Sequence, residues 1–182
     1  MIGFSGSNGA GVTVSPSTPL PVGGKAYRSV VSFTRPANTT AYTAGDVVGS
    51  ATSAIHTMTA AGPSGGFVLL QSMALFIGST AVPSGMGAFR VHLYNASPTA
   101  IADNAVFDLV SGELNAYMGF VDLPTPADFG STIYTQTDYI GRLVKLAAAS
   151  TSLFAEIETR GAYTPESGTT YELRMGTLET GL

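Results

Sequence analysis

Short runs of β-forming residues alternate with turn residues along most of this chain, and no other feature limits the fold as strongly. Residues 89–93, FRVHL, alternate apolar and polar side chains with the period of two that a half-buried strand has. Residues 153–158, LFAEIE, repeat the pattern, and turn residues cluster between such runs, as in ANTT at 37–40 and GPSGG at 62–66. Short strands with turn signals at regular intervals are typical of an all-β sandwich or barrel.

The runs predict about eight to ten strands. Because no long apolar stripe of helical period occurs, only residues 143–149 are a candidate for one or two helical turns. We therefore expect an all-β fold, a two-sheet jelly-roll-like β-sandwich. An immunoglobulin-like sandwich is the alternative, weakened by the lack of tryptophan and cysteine. The β-rich runs, of which those at 133–136 and 142–146 are weaker, lie at 29–34, 47–48, 54–59, 67–77, 89–93, 106–110, 116–123, 133–136, 142–146, 153–158 and 171–175.

Residues 1–24 differ from the rest, because they contain no charged side chain and are rich in Gly, Ser and Pro. We expect an extended N-terminal arm over 1–24, with a reach of about 80 Å, followed by a single β-sandwich domain over 25–182. The apolar residues of the arm suggest that it orders against a neighbouring subunit, whereas the alternative is a leader with no role. The candidate subunit or capsid interface residues are Phe4, Val12, Val14, Leu20 and Val22.

The chain is poor in charge, which limits the classes of function. Charged residues make up 11% of its 182 residues, against about 25% in an average protein. A surface covered by small neutral side chains suits a protein that packs against other proteins. The net charge of −4, without a basic run, argues against nucleic-acid binding. The absence of cysteine excludes disulfides and Cys-zinc sites, and we expect no cofactor.

The sequence also argues against a membrane location. No segment has 18 consecutive apolar residues, so we expect no transmembrane helix. The first residues lack the Lys/Arg region and the compact apolar core of a signal peptide, so secretion by that route is not expected.

Two features are reminiscent of a nucleophilic enzyme. Residues 62–66 match the G-x-S-x-G pattern of a nucleophile elbow, which needs a strand before the serine and a helix after it. Here the next residues, FVLLQSMALF, indicate a buried strand, so Ser64 is predicted to lie in a loop. His56 and His92 are the only imidazoles, and His92 is predicted to face solvent or an interface. We therefore expect no catalytic residue and no enzyme activity.

Clustered oxygen ligands raise the question of a metal or glycosidase site. Asp103 and Asn104 lack the alternate spacing and the glycine of a calcium loop, so Asp103 is predicted to bond its own turn. Glu156 and Glu158 would lie about 6.5–7 Å apart on one face of a strand, as paired carboxylates of glycosidases can. Because residues 153–158 alternate so regularly, we predict a solvated polar face instead, and no metal site.

Three runs of the sequence resemble a group of virion proteins of tailed bacteriophages. They are VVSFTRPANTTAYTAGDVVG at 30–49, FRVHLYNASPTAIADNAVFDL at 89–109 and AYTPESGTTYELRM at 162–175. The similarity extends roughly over residues 27–177 and consists of strand and turn patterns without catalytic signatures. The resemblance implies a capsid decoration, or cement, protein: a jelly-roll-like unit, often trimeric, over the junctions between major capsid subunits.

Composition and resemblance together favour a non-enzymatic phage capsid decoration protein. It would bind the outside of the major capsid shell and stabilise contacts between capsomers, after assembly in the cytoplasm of the host bacterium. The expected partners are the major capsid protein and further copies of the chain in a homotrimer. The alternative is a receptor- or glycan-binding module of a phage tail fibre or spike, since jelly rolls also occur in lectins. The lack of tryptophan weakens that alternative.

Overall fold

The structure, a computed structural model, describes residues 24–180 together with the backbone of two short strands in the preceding segment. In the described residues, regular structure is almost entirely β, and the one helical element is a 3₁₀ turn at Ser111–Glu113. The strands are β1 (Gly3–Ser5), β2 (Gly11–Thr13), β3 (Ala26–Thr34), β4 (Val47–Val48), β5 (His56–Met58), β6 (Phe67–Ile77), β7 (Phe89–Tyr94), β8 (Tyr117–Leu123), β9 (Ala127–Asp128), β10 (Ile133–Lys145), β11 (Leu153–Thr159) and β12 (Thr170–Glu179).

Ten of these strands form two antiparallel sheets. Sheet A has the strand order β3-β12-β6-β10-β9. Sheet B has the order β4-β11-β7-β8, and β5 pairs with β11 alongside β4. The two sheets pack face to face over one apolar core, so the predicted all-β, two-sheet sandwich is confirmed.

The strand order is that of a long hairpin wound into a sandwich. From the ends of the domain inward, β3 pairs with β12, β4 and β5 pair with β11, β6 pairs with β10, and β7 pairs with β8. The short strand β9 lies outside this scheme. Winding this hairpin also places β12 beside β6 and β11 beside β7. The result is the jelly-roll topology. It differs from the immunoglobulin order, in which the first strand pairs with the second.

The core is built from side chains that alternate along the strands. Strand β6 supplies five buried apolar residues to the core, and the facing strands β7 and β11 supply six more. Complete burial of a Leu, Ile or Val side chain stabilises a fold by about 1.5–3 kcal/mol relative to exposure. The residues concerned are Val68, Leu70, Met73, Leu75 and Ile77 on β6, and Phe89, Val91, Leu93, Leu153, Ala155 and Ile157 on the facing strands.

Bulges occur in the two longest described strands, β6 and β10. In β6, Leu70 pairs with Thr177 and Ser72 with Gly176, so Gln71 is an extra residue that restores the inward alternation. In β10 the residues between Asp138 and Arg142 form a larger bulge. The runs predicted as separate strands at 133–136 and 142–146 are therefore one strand of 13 residues.

Two sequence predictions of local structure were wrong. Residues 106–110 do not form a strand; only Val106 makes an isolated bridge, to Asp46. Residues 143–149 do not form a helix, because β10 runs to Lys145 and pairs there with Phe67 of β6. In both places tertiary pairing outweighs local propensity.

The N-terminal segment contains one described element. Strands β1 and β2 pair antiparallel, with the backbone of Phe4 opposite that of Val12, and the extended arm over 1–24 stays a prediction. The predicted interface residues Val14, Leu20 and Val22 lie outside the described residues. The interface role of all five residues stays a prediction.

Backbone contact between glycines closes one end of the sandwich. Gly161, between β11 and β12, lies against Gly85 and Gly87 of the β6–β7 connection. A Cβ on Gly161 would lie 2.3 Å from the Gly87 nitrogen and 2.5 Å from the Gly85 oxygen. Next to this contact Arg160 N–H donates to the Ala88 carbonyl at 2.8 Å.

We expect Gly161→Ala to lower the free energy of unfolding by about 2 kcal/mol or more, because the added methyl group meets backbone atoms that must move. Denaturant-induced unfolding measures the effect. Gly112→Ala is the matched control, since no atom lies within 4 Å of a Cβ there; it should change stability by less than about 0.5 kcal/mol. Equal stability of the two variants would contradict the close packing of the glycines.

Candidate functional site

The outward faces of the two sheets differ in how far the chain itself covers them. At the centre of sheet B four outward side chains are buried: His92 and Tyr94 on β7, and Glu156 and Glu158 on β11. On sheet A none of the described outward side chains is buried. Sheet A therefore presents a surface that is free for contact as far as residues 24–180 are concerned.

The connection between β7 and β8, residues 95–116, covers the centre of sheet B. Its backbone pairs with β4, since Val47 N–H donates to the Ala105 carbonyl at 2.8 Å and Asn104 N–H donates to the Val47 carbonyl at 2.9 Å. The Phe107 ring stacks on the His92 imidazole at a centroid distance of 3.6 Å. The connection is thus a third layer over half of the sandwich.

A chain of hydrogen bonds runs through His92 beneath this layer. His92 Nε2 lies 3.0 Å from Glu158 Oε2, and Nδ1 lies 2.9 Å from the Tyr117 hydroxyl. Arg160 donates to the other oxygen of Glu158 at 2.6 Å. Burial lowers the pKa of His92, although the bond to Glu158 opposes this shift. The neutral ring fits these bonds when Nε2–H donates to Glu158 and Tyr117 donates to Nδ1.

Glu156 is the least satisfied polar group of the layer. Its side chain is 1% exposed, Tyr94 donates to Oε2 at 3.2 Å, and Oε1 has no partner among the described residues. Burial raises the pKa of Glu156 to about 7, and the bonds from Tyr94 and the Ile101 backbone lower it only in part. The carboxyl group therefore takes up a proton close to neutral pH.

The structure corrects the sequence interpretation of this region. His92 does not face solvent or an interface, and Glu156 and Glu158 are not a solvated polar face, because residues 95–116 fold back over them. Both ring nitrogens of His92 and both carboxylate oxygens of Glu158 are engaged within the chain of hydrogen bonds, which describes an internal network and not an open reaction site. The alternation of β11 identified the face correctly, but alternation cannot tell whether solvent or another layer lies beyond it.

His56 also occupies a structural position. It is 3% exposed, stacks on Phe33 at 4.0 Å and has Nε2 3.2 Å from the Val48 carbonyl. Burial lowers its pKa to about 4, against a smaller opposite effect of the bond to Val48. Ser64 lies in the turn before β6, as predicted from the strand character of the residues after it.

Asp103 does not bond its own turn, contrary to the prediction. It accepts hydrogen bonds from the Tyr42 hydroxyl at 2.5 Å and from Gly49 N–H at 2.9 Å, and Arg35 lies 3.5 Å from its second oxygen. Arg35 is 2% exposed and also donates to the Asn38 carbonyl at 2.6 Å. These bonds hold the loops together at the floor of a cleft of about 470 Å³. Because none of the described residues that line the cleft is aromatic, they offer no stacking platform for a sugar.

The outer face of sheet A contains a shallow groove of about 280 Å³. Its floor is made of small residues, and at Gly176 an added Cβ would lie 2.6 Å from Ser72 Oγ. At one side Arg174 lies over the Phe76 ring at 3.9 Å, and Phe76 packs against Tyr134 at 4.4 Å. This aromatic and guanidinium cluster is the type of surface that is enriched in protein–protein interfaces.

A row of apolar side chains crosses the same face at its other end. Leu69 of β6 pairs with Leu143 of β10 on one side and with Leu178 of β12 on the other. Leu143 is 49% exposed and Leu178 is 37% exposed. Residues from three strands thus form a contiguous apolar strip, which differs from singly scattered surface residues.

The bulge in β10 presents the most exposed large hydrophobic side chain of the described residues, Tyr139. Three residues stand opposite Gln71 alone, and both Tyr139 (φ 55°) and Gly141 (φ 67°) adopt left-handed backbone conformations. Ile140 between them packs against the core, while Tyr139 is 93% exposed at the margin of sheet A. A left-handed conformation costs an aromatic residue about 1 kcal/mol or more. Its retention here suggests that Tyr139 has a role outside the isolated fold.

Sequence reasoning missed Tyr139 and the Phe76–Tyr134 cluster. The signal that was present is Gly141 two residues after Tyr139, within a run otherwise suited to a strand. A glycine inside a strand pattern often marks a bulge. The neighbours of Phe76 come from β10 and β12, so their proximity depends on strand order and could not be read locally.

Neither a metal centre nor a membrane-spanning helix occurs in the part of the chain that the structure describes. Within it, no three His, Asp or Glu side chains are grouped closely enough to hold a metal ion. No helix in these residues has the length and apolar character needed to cross a bilayer.

Comparisons with known proteins give little further information. No protein-family model matches the sequence, and no curated protein matches it. Among solved structures, a chain from the structure of Triatoma virus shows weak similarity over 97% of this chain and 76% of that chain, with 14% identity and a TM-score of 0.23. A TM-score this low carries no argument about function, so the fold assignment depends on the strand order.

The buried Glu156 predicts that stability depends on pH. Its pKa is about 7 in the fold against 4.5 in the unfolded chain, so the unfolded state loses its proton first as pH rises. The free energy of unfolding therefore falls between about pH 4.5 and 7, by up to about 3 kcal/mol. We expect Glu156→Gln to raise the melting temperature at pH 8 and to change it little at pH 5.

The control for this prediction is Asp108→Asn, which removes an exposed carboxylate from the same connection. It should leave the difference in melting temperature between pH 5 and pH 8 as in the native protein. If Glu156→Gln lowered stability equally at both pH values, protonation of Glu156 in the fold would be refuted.

Proposed function

We propose that this protein is a non-enzymatic structural protein of a virion, of the capsid decoration type, that binds the outside of a shell made by a major capsid protein. The observation that carries the proposal is the outer face of sheet A, uncovered within the described residues and flanked by Tyr139. The contact would stabilise neighbouring capsomers against one another. The site of action would be the exterior of the particle, after assembly in the cytoplasm of a bacterial host.

Four further features support the proposal. The jelly roll is a topology that viral capsid domains use, and the sequence runs given above resemble virion proteins of tailed phages. Charged residues are only 11% of the chain, and charge depletion is typical of the centre of protein interfaces. The apolar strip of Leu69, Leu143 and Leu178 supplies contact area beside the groove.

The proposal includes the absence of catalysis. The groups with the most acid–base character, His92 and Glu156, are enclosed under residues 95–116, and the His92 nitrogens are both engaged. A substrate would reach them only if the connection opened. We also propose that copies associate as a trimer on the shell, with no nucleic acid, membrane or cofactor involved.

Tyr139 provides a test that separates binding from folding. Tyr139→Gly removes the exposed ring and relieves the left-handed conformation, so the isolated protein should be as stable as the native one or slightly more stable. Loss of an aromatic anchor should weaken binding to shells at least about tenfold. Co-sedimentation with shells assembled from the major capsid protein of the same virus measures binding, and thermal unfolding measures stability.

Val106→Ala is the matched control, because Val106 is a 70% exposed apolar residue on the connection over sheet B. It should leave shell binding unchanged. Native protein that failed to sediment with the shells would overturn the proposed function, and equal binding by the Tyr139→Gly variant would overturn the assignment of the face. A copy number of only a handful per particle would favour the receptor- or glycan-binding alternative on a tail.

A further inference from the structure

Strand β3 forms one edge of sheet A, and its second side is unpaired within the described residues. It pairs with β12 alone, from Ala26 opposite Leu178 to Thr34 opposite Thr170. An open edge of nine residues presents a row of backbone donors and acceptors to which another strand can add.

The ends of the β3–β12 ladder identify the backbone groups that are free. At one end Arg35 N–H donates to the Thr169 carbonyl, and at the other Glu179 N–H donates to the Lys25 carbonyl. In an antiparallel pair, the backbone of every second residue hydrogen-bonds to the partner strand. Because the β3–β12 pairing has no register shift, the odd-numbered residues of β3 make these hydrogen bonds to β12. Within residues 24–180 no further backbone bond engages the even-numbered residues. These are Ala26, Arg28, Val30, Ser32 and Thr34, all exposed.

The core is also incompletely covered at this edge. Val31 and Phe33 point inward and pack against the core, yet they are only partly buried. Tyr27, which points the same way, is also only partly buried. The inward residues of the central strand β6 are fully buried by comparison. A strand added beside β3 would cover the three side chains.

We propose that β3 pairs antiparallel with β3 of a second copy of this chain, about a two-fold axis at Val30. The five even-numbered residues of each strand would then exchange about ten N–H···O=C bonds. The two A sheets would become one continuous sheet. This proposal goes beyond the shell-binding function and does not rest on it.

The register with Val30 on the axis is complementary to itself, which favours a second copy over an unrelated strand. It places Tyr27 opposite Phe33 of the second copy on the inward side, and aromatic cross-strand pairs stabilise sheets. On the outward side it places Arg28 opposite Ser32. Ser32 bonds to Glu172 at 3.2 Å, so each arginine gains a carboxylate beside its partner.

Moving the axis by one residue, to Val31, removes both pairings. Phe33 would then face Ser29, and Arg28 would face Thr34. A two-fold edge contact makes dimers and is distinct from the trimer proposed above, since a three-fold axis cannot relate two antiparallel copies of one strand. A copy in a shell can make both contacts.

Val30→Pro tests the backbone bonds. Because the Val30 N–H points away from β12, proline removes only the proposed contact, and edge strands tolerate proline. We expect the native protein to dimerise in sedimentation equilibrium, and the variant to have a dimer dissociation constant about thirtyfold higher, with an unchanged unfolding transition. Val110→Pro is the matched control, since Val110 is 39% exposed, compared with 40% for Val30, and already has φ −67°; its dimerisation should equal that of the native chain.

Val30→Cys tests the register, and the chain contains no native cysteine to interfere. Directly opposite residues in a hydrogen-bonded antiparallel pair have Cα atoms about 5.5 Å apart, which suits a disulfide. Mild oxidation should give a covalent dimer from Val30→Cys and only background from Val110→Cys. Equal cross-linking of the two variants would overturn the proposal, as would a native protein that stays monomeric up to millimolar concentration, or unchanged dimerisation of Val30→Pro.

These outcomes are separable from those of the shell-binding test. Occupation of the edge by residues 1–23 would leave Val30→Cys without cross-links and would count against the second copy as the occupant. Co-sedimentation of Tyr139 variants with shells reports on the other proposal independently.

Discussion

The packing of residues 95–116 over sheet B is the contact on which the functional character of this protein depends. The stack of Phe107 on His92 and the backbone bonds between Val47 and Ala105 attach the connection to the sandwich. They turn one outward face into an interior and leave the other face to be the surface. Without this layer, the two sides of the sandwich would both present strand faces to solvent.

The polar side chains buried under residues 95–116 affect the stability of the fold. His92, Glu158 and Arg160 are linked by hydrogen bonds, and these bonds offset the free energy lost when the groups are removed from water. Glu156 is different, because one of its oxygens is unpartnered and its pKa rises to about 7. The attachment of residues 95–116 to sheet B should therefore be weakest at the Tyr94–Glu156 pair, where the protonation state of Glu156 decides how stable the contact is.

Sheet A has the complementary properties of a contact surface. Its outer face combines small residues around Gly176, the Arg174–Phe76–Tyr134 cluster and an apolar strip, while its β3 edge has free backbone groups. A low share of charged residues is consistent with such surfaces, because few side chains need to be desolvated on association. Face and edge are separate features, so the proposed shell contact and the proposed strand pairing do not compete for the same surface.

Much of the fold could be predicted from alternation and turn residues. FRVHL and LFAEIE became β7 and β11 because period-two patterns report directly which side chains a strand can bury, and the nearly continuous apolar run 67–77 became the central strand β6. The same reasoning failed at 106–110, which became a bridge in a covering layer, and at 143–149, where pairing with β6 extended β10. It also placed His92, Glu156 and Glu158 correctly on one face but wrongly in solvent.

The amino-acid sequence by itself determined that this chain builds strands, that the strands bury one side, and that its surface is short of charge. Only the tertiary structure decided which outward face stays open, where Tyr139 projects and which edge of sheet A is left unpaired. The physical reason is that alternation and turn chemistry depend on residues only a few positions apart in the sequence. Coverage of His92 by Phe107, and of Glu156 by the Ile101 backbone, depends on how a 22-residue connection crosses a sheet, and no local pattern specifies that path.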